Sequence, residues 1–273
     1  MRVASILIAS VIVFLFACKT RTGPDFSAHA TDSSANMIID TIGDDEGEMN
    51  YAAVKSDLDS LFNEYKDSLR FDVDEMWYSL HIGHLFDKKN KHAVMHFYLN
   101  DSISKILVLK LCGRQWDTIF SVERDSAKAN YMRLDDYYTF SDFNGDGIPD
   151  LKIVNDYWDI HPGENADLWL FRKDSFISVK NFSEIVTADY DKKTRLIYSY
   201  QSAGCADMAM VFGVYKIVDD TVQIKKLLNC DCCEADSCII NIYNQKTYRV
   251  PYEKAYLHVP SYYASFVKAK CEM

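Results

Sequence analysis

The chain has 273 residues, 48% of them hydrophobic and 14% aromatic, with 40 Asp and Glu against 30 Lys and Arg for a formal net charge of −10. That apolar content can build a large core and excludes a disordered or fibrous chain. The acidic balance, with no Lys/Arg-rich block to offset it, argues against nucleic acid as a partner and leaves cations and cationic proteins as the species its field would attract.

Met1-Arg2 is followed by an apolar run from Val3 to Phe16 and then by Ala17-Cys18. A basic start, a short hydrophobic stretch and a small residue before the cut describe an export signal. The run is shorter than the roughly 20 residues that cross a bilayer. Leu15-Phe16-Ala17-Cys18 resembles the bacterial lipobox. That resemblance implies removal of residues 1–17, acylation of Cys18 as the new first residue and a membrane anchor there. Several acyl chains on one residue hold more firmly than one. Residues 18–50 read as a flexible linker. They contain Gly23-Pro24, Thr31-Asp32-Ser33-Ser34 and Asp44-Asp45-Glu46-Gly47-Glu48 with no periodic apolar pattern, too little to offset the entropy of ordering. Lys19-Thr20-Arg21 follows Cys18 directly. Lipoproteins of the Bacteroides-like group that reach the cell surface carry an early acidic cluster instead, so the expected location is the periplasmic face of the outer membrane.

Residues 51–273 read as a single mainly β domain with a sub-boundary near 124–135. Val54, Leu58, Leu61, Phe62, Tyr65 and Leu69 recur at steps of three and four, which predicts one amphipathic helix over 51–70 on the domain rim. From Trp77 the pattern changes to short runs rich in Val, Ile, Tyr and Phe: 76–86, 91–99, 103–112, 115–122, 136–141, 150–155, 167–172, 195–201, 208–218, 221–229, 238–243 and 247–250. Turn clusters such as Asp87-Lys88-Lys89-Asn90 and Asp219-Asp220 separate them. Many short strands at this spacing predict antiparallel sheets in a sandwich or propeller-like array. No strict internal repeat marks regular blades. Ser261 to Lys270 reads as a short closing helix.

The sharpest chemical motif is Asp142-Phe-Asn144-Gly-Asp146-Gly147-Ile148-Pro-Asp150. Side-chain oxygens stand at positions 1, 3, 5 and 9, with a backbone carbonyl from Ile148 at position 7. A hard cation such as Ca²⁺ takes six to eight oxygens in a flexible shell. Gly147 permits the sharp turn, and three aspartates packed this closely repel one another without a cation. Position 12 is Ile153 rather than the bidentate Glu of an EF-hand, and both flanks read as strands. The loop resembles the strand-loop-strand calcium sites of integrin-type propeller repeats, with Asp150 as the replacement ligand. The expected cofactor is therefore Ca²⁺ in a structural role, held by Asp142, Asn144, Asp146, Ile148 and Asp150 at about 10⁻⁴–10⁻³ M.

From about residue 135 to 229 the order of features is longer than the loop alone. The loop is followed by Asp167-Leu-Trp-Leu-Phe171, by Asp174-Ser-Phe176, and by a charged turn entering a strand, Asp191-Lys-Lys-Thr-Arg-Leu-Ile-Tyr198. The turn Ser202-Ala203-Gly204 and the strands Val211–Val218 and Thr221–Leu228 complete it. This resembles periplasmic calcium-binding lipoproteins related to lysozyme inhibitors, some of which act as immunity proteins against peptidoglycan-cleaving toxins. The resemblance covers roughly a third of the chain. It implies a binding protein whose partner is a cell-wall hydrolase. Those inhibitors insert a Ser-Gly-x-x-Tyr loop into the lysozyme cleft; the comparable turn here reads Ser202-Ala203-Gly204-Cys205-Ala206-Asp207, without the tyrosine.

Beyond Cys18 there are seven cysteines, and an odd number cannot all pair within one chain. Export favours disulfides. Cys205, Cys230, Cys232, Cys233 and Cys238 are the candidates, with no pairing assigned; a soft-metal site in the 230–238 cluster is the alternative. His81, His84, His92 and His96 read as surface histidines on two successive strands. There is no Gly-x-Ser-x-Gly elbow, His-Glu-x-x-His or P-loop, and the chain is not expected to be an enzyme. Two further readings stand beside the inhibitor: an adhesion-type calcium module binding a surface protein or glycan, and a hydrolase using a carboxylate pair.

Overall fold

The computed structural model describes residues 50–125, 137–158, 161–234 and 236–272. Cys18, the linker to residue 49 and most of the sub-boundary at 124–135 lie outside the described residues. The described chain opens with α1 (Tyr51–Tyr65). The Asn50 side-chain oxygen accepts from the Ala53 amide at 3.1 Å, pairing one of the amides that a helix start leaves open. Helix α1 ends at Tyr65 rather than at residue 70. The chain must reverse there to enter the first strand, and Tyr65 stacks on Phe71 at 3.9 Å between ring centroids. Leu69, counted in the helical stripe, is 82% exposed.

Three sheets follow, each an antiparallel meander in chain order. The first holds β1 (Phe71–Asp74), β2 (Tyr78–Gly83), β3 (His92–Asn100), β4 (Ile103–Cys112) and β5 (Gln115–Asp125). The second holds β6 (Tyr138–Ser141), β7 (Asp150–Trp158), β8 (Gly163–Arg172) and β9 (Ser175–Ser178). In the third are β10 (Asp189–Asp191), β11 (Leu196–Ala203), β12 (Ala209–Val218), β13 (Thr221–Glu234), β14 (Ser237–Ile242) and β15 (Lys246–Pro251). Helix α2 (Ala264–Cys271) closes the described chain where a helix was expected. The mainly β, antiparallel reading holds.

The sheets stack in the order in which they are made. Ala93, Met95 and Phe97 of β3 meet Leu58 of α1 on one face of the first sheet. On its other face Val94, Ile106 and Val108 meet Tyr138, Leu151, Ile153 and Phe171 of the second sheet. The far side of the second sheet, with Ala166, Leu168 and Leu170, packs on Ile197 and Tyr215 of the third. Met210, Phe212, Leu228 and Ile240 of the third sheet then meet Val267 of α2. The result is a helix–sheet–sheet–sheet–helix stack. Because successive strand residues point to opposite faces, a strand covered on both sides carries apolar groups at consecutive positions. This is why His92–Tyr98 is buried throughout.

The histidines depart from expectation. β2 and β3 pair His81 with Val94 and Ser79 with His96. His92 and His96 are fully buried between the first two sheets rather than exposed.

Candidate functional site

The 142–150 loop joins β6 to β7, closed at its base by the Ser141–Asp150 pair. Phe143 anchors it. Its ring is buried between the second and third sheets and meets Phe182 edge-on at 5.7 Å. The acidic side chains turn inward and hold the loop backbone. Asp142 Oδ1 and Oδ2 accept from the amides of Gly145 at 2.6 Å and Gly147 at 2.9 Å. Asn144 Oδ1 accepts from the Asp146 amide at 2.8 Å, and Asp146 Oδ1 accepts from the Ile148 amide at 2.8 Å. Gly145 and Gly147 sit at φ +80° and +83°, a region that L side chains enter only at a cost.

Asp150 is fully buried. Its Oδ2 accepts from the Phe143 amide at 2.9 Å and its Oδ1 from the Phe171 amide at 3.1 Å, which ties the loop to β8. Burial pushes its carboxyl up to about 7; the two amides oppose this, and the charges of Asp146 and Asp142 add to it. A buried carboxylate beside two others is the arrangement a divalent cation relieves. The donor set is oxygen throughout, and each carboxylate oxygen named here accepts one hydrogen bond and keeps a further lone pair. These residues fit Ca²⁺. Among the described residues, the one set of three or more potential ligand atoms mutually within 4.8 Å is that of Cys230, Cys232 and Cys238. An oxygen shell around an ion therefore requires the three loop carboxylates to draw together.

A second feature stands at the β11–β12 connection. Gly204, Cys205, Ala206 and Asp207 all have positive φ, at 47°, 36°, 55° and 63°. Such a run is costly for L residues and persists only where the surroundings over-determine it. Here a disulfide joins Cys205 to Cys233. Asp207 Oδ1 accepts from Ser202 Oγ at 3.0 Å and meets His161 Nδ1 at 2.5 Å, while Lys270 Nζ donates to the Asp207 carbonyl at 3.3 Å. Residues 203–206 remain exposed. Ser202, His161 and Asp207 do not form a nucleophilic triad, because the hydroxyl bonds to the carboxylate and not to the imidazole.

Four of the five candidate cysteines form bridges, Cys205–Cys233 and Cys232–Cys238. Cys230 corrects the expectation. It is a buried thiol 3.5 Å from the Cys232 sulfur, and burial pushes its thiol up to about 12. Cys230 and Cys232 share a face of β13, and Cys232 is bonded across to Cys238 of the neighbouring strand.

Sequence reasoning missed a cleft of about 320 Å³ beside β1 and β6, lined by Arg70, Asp72, Asp74, His81 and Tyr138 among others. His81 meets Asp72 at 3.0 Å and Asp74 at 3.2 Å. Burial alone would raise the Asp72 carboxyl, but hydrogen bonds from Arg70 and His81 outweigh it and hold the group below the usual carboxylate range. Asp72 is thus kept ionised, which does not suit a general acid. The pairing of Asp72 with His81 across two strands was the available signal, and it depended on a register that one sequence does not give.

No protein-family model and no curated protein matches the chain. Among solved structures it is similar to a Xanthomonas type IV secretion system related protein, at 15% identity and a TM-score of 0.39, over 67% of this chain and 94% of that one. A likeness at that level carries no argument about activity.

Proposed function

We propose that the protein is a lipid-anchored envelope module, braced by one calcium ion in the 142–150 loop, that binds and inhibits a cell-wall hydrolase. The observation that carries the reading is the 203–207 turn. An exposed segment held in a high-energy backbone run by a disulfide and a clasped aspartate loses little conformational freedom on binding, and such preorganisation strengthens association. The resemblance to lysozyme-inhibitor lipoproteins supports the partner class, since their inhibitory loop corresponds to this turn. With no tyrosine here, backbone groups and Ala206 would make the contact. The calcium loop supports the same reading from beneath. Phe143 ties it to the second–third sheet core and Asp150 ties it to β8, so an ion there would stiffen the sheet that backs the turn's own sheet.

The test is binding of the purified protein to immobilised lysozymes of several classes and to envelope lytic enzymes, by interferometry. A specific complex that weakens at least tenfold in the Cys205→Ser/Cys233→Ser variant supports the reading. Absence of binding to every enzyme overturns the inhibitory role, and capture of an envelope glycan instead favours the adhesion-type module.

A further inference from the structure

The layer between the third sheet and α2 holds more sulfur than its bridge uses. Cys230 and Cys232 of β13 and Cys238 of β14 are all buried in it, and their sulfur atoms lie within 4.8 Å of one another. Met210 stands directly across from Cys230 on β12 and belongs to the same buried cluster, with Phe212, Ile240 and Val267. Cys271, in the last turn of α2, is half-buried and packs against that cluster. Burial first, then the neighbouring Cys271, holds the Cys230 thiol in its protonated form. A buried thiol is ordinarily a small apolar filler. This one touches a disulfide: the Cys230 sulfur is 3.5 Å from that of Cys232, which is bonded to Cys238.

We propose that, once the Cys232–Cys238 bridge is reduced, Cys230, Cys232 and Cys238 form a binding site for Cu(I). Opening the bridge takes two electrons and two protons, which a dithiol supplies as it closes to its own disulfide. The chain then presents three thiols on one face of two neighbouring strands. Sulfurs bound at about 2.3 Å around a common ion stand about 4 Å apart. Cys230 and Cys232 are near that spacing already, and Cys238 reaches it when its bond to Cys232 opens. Each thiol that ligates releases its proton, and the charge of the ion offsets the cost of a buried thiolate. Soft sulfur donors select Cu(I) over hard cations. Zn²⁺ with three protein ligands keeps a fourth position for water, which burial of all three sulfurs under apolar side chains disfavours. In the oxidised chain Cys232 and Cys238 have no thiolate to offer, so uptake is gated by redox state. The site does not depend on the proposed hydrolase partner.

The test is a Cu(I) titration of the full chain carrying Cys205→Ser and Cys233→Ser, so that the thiols of the other bridge do not compete. Where that variant fails to fold, wild type is used and the methyl signals tell the sites apart. The protein is reduced with a dithiol, desalted without air and offered Cu(I) held by the chelator bicinchoninate. NMR of the Ile240 and Val267 methyls reports where the ion goes. The reduced protein is expected to withdraw about one equivalent, with a sulfur-to-copper charge-transfer band in the near ultraviolet and shifts in those methyls. The same protein with Cys232–Cys238 intact should leave them in place. Cys230→Ser, its fold checked by melting with the bridge intact, should weaken uptake at least about tenfold. Added Zn²⁺ should not displace the bound ion. Equal uptake by oxidised and reduced protein, unchanged affinity in Cys230→Ser, uptake that leaves the Ile240 and Val267 methyls unmoved, displacement by Zn²⁺, or unfolding on reduction would each overturn the proposal.

Discussion

Asp150 joins the 142–150 loop to β8 through the Phe143 and Phe171 amides while lying fully buried beside Asp142 and Asp146. A bound cation would settle that charge, so calcium should stabilise the native state by mass action. With an affinity of about 10⁻⁴–10⁻³ M, roughly 10 mM calcium should raise the melting temperature by about 3–10 °C over the chelated protein. Asp146→Ala should abolish most of that shift, and an undiminished shift in the variant would place the ion elsewhere. The two loop glycines separate strain from collision. Gly147→Ala meets open space and only the positive φ, so it should cost about 1 kcal/mol, whereas Gly145→Ala also strikes the Tyr190 hydroxyl and should cost about 2 kcal/mol or more. Adding Tyr190→Phe should recover part of the second loss and none of the first, read by denaturant melts of the four variants. His96 sets a different pH dependence. Stacked on Tyr137 at 4.7 Å and fully buried, its imidazole is pushed down to about 3 by desolvation. Its unfolded counterpart takes a proton near pH 6.5, so its contribution is intact above that pH and drains away as pH falls through the folded value. At pH 5 the loss is about 2 kcal/mol, or about 4–8 °C. His96→Phe should narrow the gap in melting temperature between pH 7.5 and pH 5 by that amount; an equal gap in variant and wild type would contradict the assignment.

Strands and bridges show what one sequence carries. The longer strands were readable because β4 and β12 bring long runs of Val, Ile and Leu bounded by Asp/Asn/Gly turns, and their expected spans match to within a residue. β1, β9 and β10 were not: three or four residues hold too few alternations to rise above chance, and β6, equally short, was readable because an aromatic run leads into the oxygen loop. The oxygen loop stands out in the sequence because its candidate ligands are local, five positions within nine residues. The Asp72–His81–Asp74 group and the choice of Cys232 over Cys230 as the partner of Cys238 both rest on register between strands, which no local pattern specifies. The two bridges differ in consequence. Cys205–Cys233 spans 28 residues and Cys232–Cys238 spans 6, so loop-closure entropy assigns them about 3–4 and about 2–3 kcal/mol. Replacing the first pair by serine should lower stability more and also release the 203–207 turn, seen as faster amide exchange confined to that turn at low denaturant. If the shorter bridge proved the more stabilising, the turn would owe its shape to Asp207 rather than to the staple.

Layer upon layer, the molecule places the two features on which the proposed function rests on neighbouring sheets. The oxygen loop opens from the second sheet, the stapled turn from the third, and their shared core of Phe143, Leu168, Leu170, Ile197 and Tyr215 lies between them. A formal charge of −10 would favour approach of a cationic partner, and a basic hydrolase would meet that field at a rate that falls with added salt. The turn, rather than the surface charge, is expected to decide whether the partner is inhibited. The most direct measurement is cell-wall turnover by the hydrolase panel, with the protein added intact, with its Cys205–Cys233 bridge removed, and in chelator. The intact protein in calcium should slow at least one enzyme stoichiometrically, and activity should recover substantially when the bridge is absent. Unimpeded turnover of every enzyme, or slowing that persists undiminished without the bridge, would contradict it.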